Sequence, residues 1–139
     1  MKIRAIPPTG TTLVLGDDDE TPSGFAAPAQ ISGYDRDTPA RVQSSTPTNA
    51  PYTLSYFRGL GQPTRSWVTE YYFNTAQDAF VFAEQHGDEV PGSFVLEITN
   101  DTGVVFFDAI RVTAKVIEQI GPSVKVQYKF NVGESRLTK

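Results

Sequence analysis

The 139-residue chain has no cysteine. That excludes a disulfide framework and any thiolate metal site. It has a single histidine, so a Ser-His or Cys-His constellation would have to run through that one ring. No apolar run approaches the roughly 20 residues a membrane helix needs. The opening "MKIRAIPPTG" is too short and Pro-broken for a signal peptide, so a soluble, unexported chain is expected, with no membrane partner. Basic charge is also scarce: 12 Lys and Arg stand against 16 Asp and Glu, a net charge of −4 with a pI near 4.9. Phosphate recognition rests on basic clusters, so sequence-specific nucleic-acid binding is not expected.

Proline, glycine and aromatic residues are plentiful. Ten Pro, 11 Gly and 12% aromatics favour strands and turns over long helices. The length suits one domain with a real core. The expected fold is mainly β, an antiparallel β-sandwich or rolled sheet with one short flanking helix and a long extended N-terminal arm or loop.

Residues 16–51 are rich in Pro, Ser, Thr and Asp, which make up half of the segment. Their apolar anchors are isolated: Phe25, Ile31, Tyr34 and Val42. Such a segment buries too little apolar surface to offset its ordering entropy alone. It reads as an arm that is disordered or laid along another surface, with a β-rich core over 52–133.

"PYTLSYF" (51–57) and "SWVTEYYF" (66–73) are aromatic and β-branched, and "RGLGQPTR" between them is turn chemistry. Together they predict a hairpin. "NTAQDAFVFAEQHG" predicts a helix over about 75–86: Asn74 or Thr75 caps it, Ala76, Ala79, Phe80 and Ala83 recur at helical spacing, and Gly87 is a natural left-handed stop. His86 then falls at the helix end, where a positive charge meets the last carbonyls.

The last third reads as strands at 93–99, 104–120 and 123–132. Val124, Val126, Tyr128, Phe130 and Val132 alternate with polar residues, the mark of one buried and one wet face. Ile110, Val112, Ala114 and Val116 show the same alternation. A hairpin at Gly121-Pro122 would then bury both apolar rows and leave Arg111, Lys115, Lys125 and Lys129 on a polar face. Asp108 breaks the phase, which predicts a bulge near 107–109.

Chemistry is sparse. The acids Asp17, Asp18, Asp19 and Glu20 are contiguous, whereas calcium loops alternate their ligands around a forced turn. They read as the solvated hinge at which "TTLVL" releases the arm, and no metal or cofactor is expected. Asp101-Thr102-Gly103 matches the triplet of aspartic proteases, which need two carboxylates sharing a proton; a hairpin turn explains "NDTG" equally. Trp67, Tyr71, Tyr72 and Phe73 could stack a sugar if exposed; alternation would instead bury Trp67, Tyr71 and Phe73 on one face, and strand aromatics ordinarily pack inward.

The run "YYFNTAQDAFVFAEQHGDEVPG" followed by strands ending in "SVKVQYKFNVG" resembles the strand-helix-strand layout of tailed-bacteriophage tail structural proteins, the tail-tube and tail-completion subunits. The resemblance covers about residues 52–133. It implies a β-sandwich flanked by a helix, and a non-enzymatic virion subunit that forms rings or tubes in a tail or neck through sheet edges and an arm. Its partners would be copies of itself and other virion structural proteins, and it would lie in the virion, or in the host cytoplasm during assembly. Tube subunits more often carry an inserted loop or hairpin, and an N-terminal arm also suits a capsid decoration protein. A carbohydrate-binding β-sandwich and a dimeric aspartic protease are the rival classes, the protease the least economical.

Overall fold

Along the strand Ser123–Leu137, Val124, Val126, Tyr128, Phe130 and Val132 are buried, while Gln127 and Lys129 between them are exposed. The expected two-faced pattern is present, and a rolled antiparallel sheet is built around it. The structure, a computed structural model, describes residues 1–37, 40–45, 54–60 and 63–137, with side chains over 1–37 and 63–133. In chain order the strands are β1 (Lys2–Ile6), β2 (Leu13–Asp17), β3 (Gln30–Asp37), β4 (Ala40–Ser45), β5 (Leu54–Leu60), β6 (Thr64–Tyr72), β7 (Ser93–Asn100), β8 (Gly103–Ile120) and β9 (Ser123–Leu137). The helix α1 (Ala76–Glu89) lies between β6 and β7. Seven strands form one sheet in the order β2-β1-β7-β8-β9-β6-β3, and β4 and β5 form a separate two-stranded sheet. The fold is mainly β, as expected.

The sheet rolls until its edges meet. Asp17 at the end of β2 bridges Ala29 just before β3, its N–H donating to the Ala29 carbonyl at 2.8 Å. Leu15 is the extra residue of a bulge in β2, since Ile3 pairs with Gly16 and Arg4 with Val14. Left without a counterpart on β1, Leu15 is served from across the roll. Trp67 Nε1–H donates to its carbonyl at 3.1 Å and the Thr69 hydroxyl at 2.6 Å, while the Tyr71 hydroxyl donates to the Val14 carbonyl at 3.1 Å. All three donors are inward side chains of β6, almost wholly buried. Gly16 is required at this seam, because any Cβ there would collide with the Ile31 side chain.

The helix begins as expected, with Thr75 as N-cap accepting from the Asp78 N–H at 3.2 Å. Its face and its end differ from expectation. Ala79 and His86 are buried and Phe82 and Ala83 pack on the core, whereas Phe80 is exposed. Gly87 does not stop the helix, which runs on to Glu89 with Val90 as C-cap. Arg111 of β8 donates one guanidinium nitrogen to the carbonyls of both Gly87 and Val90, serving carbonyls that a glycine cap would otherwise serve.

Two further expectations are corrected. β6 pairs with β9 and β3, and β5 pairs with β4, so the hairpin expected between 51–57 and 66–73 does not form; β6 finds a larger apolar surface inside the roll. In β8 the phase expected of Ile110, Val112, Ala114 and Val116 is broken. The bulge expected near 107–109 is present, but register also shifts between Arg111 and Thr113 and between Val116 and Glu118. Ala109 and Ala114 therefore face inward while Ile110, Val112, Ile117 and Ile120 are exposed.

If the roll is closed by the β6 side chains, Thr69→Val, which keeps shape and removes one donor, should cost about 1–2 kcal/mol. Urea denaturation measures it, and a variant as stable as the parent would show that the Leu15 carbonyl does not depend on Thr69.

Candidate functional site

The acidic run is tied into the fold rather than left as a free hinge. Asp17 is buried, and its Oδ1 accepts from the backbone N–H of Asp19 at 3.1 Å and of Glu20 at 3.0 Å. Its Oδ2 lies 3.7 Å from Lys2 Nζ. Asp18 Oδ1 accepts from Ile31 N–H at 2.8 Å, and Asp18 Oδ2 and Asp19 Oδ2 each lie 3.6 Å from the Met1 amino group. The run is a clasp that ties the start of β1 to the start of β3. Among the described residues no three His, Asp or Glu side chains are grouped to hold a metal ion.

The expected arm finds its surface on its own chain as far as residue 37. Phe25 packs against Tyr71, Phe73 and Phe82 with ring centroids 5.3, 5.0 and 5.9 Å away. Ile31 packs on the core from β3, and Tyr34 lies over Trp67 at 6.3 Å. These three residues are thus core satellites rather than free anchors; once β3 pairs with β6, their apolar surface is buried in place. The side chain of Val42 lies outside the described residues, although its backbone pairs with Phe57 in the β4–β5 hairpin.

The polar hairpin face is only partly as expected. Arg111 pairs with buried Phe130 and turns under the helix end, so it leaves the row. Lys125 sits between Glu70 and Glu118, 3.8 Å from each. Lys115 and Lys129 are exposed. The bulges interleave this face with Ile110 and Ile120, which are 60% and 67% exposed.

Trp67 is 1% exposed, so it offers no stacking platform to a sugar. Asp101 lies in the two-residue turn between β7 and β8, where Asn100 Oδ1 accepts from Thr102 N–H, Thr102 Oγ1–H and Gly103 N–H. The Asp-Thr-Gly triplet is thereby accounted for as turn chemistry.

Inside the helix end of the roll runs a polar chain that the sequence did not disclose. Tyr71 Oη is 2.7 Å from Tyr128 Oη, which in turn bonds His86 Nε2. With the Tyr71 proton given to the Val14 carbonyl, Tyr128 donates to Tyr71 and accepts from Nε2–H, which fixes the neutral tautomer. His86 Nδ1 is then a buried lone pair without a hydrogen bond, 3.6 Å from Glu89 Oε2. Burial, with the Arg111 guanidinium nearby, pushes the imidazole down to about 4, so the ring is not the cation expected at the helix end. Arg111 fills that role. Burial also raises both tyrosines, keeping the two hydroxyls protonated.

At the opposite end of the roll a cavity of about 540 Å³ opens between β3, β6 and the β7–β8 turn. Its walls include Tyr34, Ile98, Val105 and Phe107, and both Arg36 and Arg65 reach it. This size lies within the range of small-molecule sites. No sequence signal announces it, because its residues converge only through cross-strand register. No protein-family model matches the chain, and no curated protein sequence matches it.

The buried neutral histidine sets an acid dependence. An unfolded chain protonates His86 near its ordinary 6.5, the folded chain only near 4. Stability is therefore full above 6.5 and falls as the pH drops toward 4, by about 3 kcal/mol in total. In His86→Gln that component of the pH–stability curve should vanish; a curve as steep as the parent's between pH 6.5 and 4 would contradict the assignment.

Proposed function

We propose that this chain is a structural subunit that self-assembles into a ring or tube, of the kind found in the tail or neck of the bacteriophages whose tail proteins its layout resembles. The observation that carries the reading is the outer face of β8. Ile110, Val112, Ile117 and Ile120 stand exposed there on one strand, and a row of exposed branched apolar side chains is the mark of an interaction surface rather than of a solvated one. The occupant is a second copy, because copies related by symmetry present the same strand at every interface.

The β4–β5 hairpin supports the reading. Among the described residues β4 and β5 pair only with each other, and an isolated two-stranded hairpin is marginal in water. It is an inserted hairpin of the sort tube subunits carry, and it takes over the locking role first expected of the whole 16–51 arm. Partners are copies of the chain and other virion proteins, and the place of action is the virion.

Light scattering after size exclusion, at rising concentration, should reveal a closed oligomer, and negative-stain micrographs should contain rings or tubes. Ile117→Lys combined with Ile120→Lys should shift the population to monomer with its circular dichroism unchanged. A parent chain that is monomeric at every concentration, or a variant that assembles as the parent does, would refute the proposal.

A further inference from the structure

The register of β3 and β6 sets two like charges face to face. Arg36 pairs directly with Arg65, an arrangement that is destabilising when nothing lies between the charges. Both line the cavity of about 540 Å³ at the open end of the roll, and among the described residues no carboxylate lines it. Arg65 is fixed before anything binds: one of its terminal nitrogens donates to the Thr64 carbonyl at 2.9 Å, and its guanidinium carbon lies 4.8 Å from the Phe107 ring centroid. Its Nε is buried without a hydrogen-bond partner among the described residues, a donor left open where burial makes an unmet one costly. The other walls include Ile98, Val105 and Phe107, which suit a hydrocarbon body and not a hydrated ion.

From this juxtaposition we infer that the cavity is a binding site for a monoanionic amphiphile, a carboxylate or sulfonate head on an apolar body. The head bridges Arg36 and Arg65 and converts their repulsion into two charge-assisted contacts. The apolar body lies against Phe107, Val105 and Ile98. Tyr34 Oη, whose pKa burial raises against the pull of both arginines, stays protonated and offers a further donor. This site is independent of assembly through β8, on the other surface of the sheet.

The test uses the full chain and 1-anilinonaphthalene-8-sulfonate as fluorescent probe, displaced by octanoate, octanol or octylammonium. Saturable probe binding is expected, with octanoate displacing it at least about tenfold more effectively than the neutral or cationic analogue. Val105→Trp should abolish binding and Ile120→Lys should leave it intact. Arg36→Gln should weaken octanoate about tenfold yet raise the Tm of the free protein by about 1–3 °C, since it removes a repulsion. Octanol competing as well as octanoate, Ile120→Lys removing the probe signal, or Arg36→Gln lowering the Tm with octanoate affinity unchanged would each overturn the site.

Discussion

The fold depends on three side-chain donors reaching across it. Seven antiparallel strands in a row would leave β2 and β3 as bare edges, each a template for unwanted pairing. The roll removes that hazard, yet among the described residues only one backbone bridge joins the edges, at Asp17 and Ala29. Closure is completed by Trp67, Thr69 and Tyr71, whose N–H and O–H groups enter the carbonyls of Leu15 and Val14. In a water-free interior each such bond stands between a carbonyl and a desolvation penalty of about 1–3 kcal/mol. The third donor continues through Tyr128 to His86, so the same network that seals the roll also seats the helix. Arg111 fastens the same end of the helix through the carbonyls of Gly87 and Val90.

How much of this was legible in the sequence follows from how local each cause is. The alternation of β9, the Thr75 cap, the turn at Gly121-Pro122 and the bulge at Asp108 rest on neighbouring residues, and all are present. Gly121 has φ 56°, a conformation that glycine adopts without strain. What was not legible rests on distant pairing. The composition of residues 16–37 is that of an arm, and nothing in it announces that Phe25 and Ile31 complete the core under β6. The acids 17–20 look solvated until Ile31 N–H and Lys2 are brought to them. Arg111 looked like one cation in a row, until a second bulge turned it inward. The cavity depends wholly on register, since Arg36 and Arg65 are 29 positions apart in sequence and adjacent only in the sheet.

The two ends of the roll are chemically opposite. At the helix end, buried hydroxyls and an uncharged imidazole satisfy one another among aromatic rings. At the other end, two guanidiniums line a largely apolar cavity with no carboxylate on its walls among the described residues. At the first end the hydroxyls and His86 Nε2 are matched within the chain, and Nδ1 has no hydrogen bond among the described residues; at the second, the proposed ligand would supply the match for the arginines. The exposed row on β8 shares no residue with the cavity walls, so the proposed assembly surface and the proposed ligand site do not compete.

The bulges of β8 also set a limit on shape. Its 18 residues, at about 3.3 Å each, have a contour length of about 60 Å. A globular chain of this size is roughly 35–40 Å across. A straight strand of that length would overhang the body it belongs to. Each irregularity in the β8–β9 pair adds local twist and bend, and the pair has three of them. The same inserted residues, Val112 and Ile117, that carry the apolar row outward thereby also set the curvature on which it is displayed, so in the proposed assembly any lengthening or loss of a bulge would alter the angle between neighbouring copies as well as the surface through which they meet.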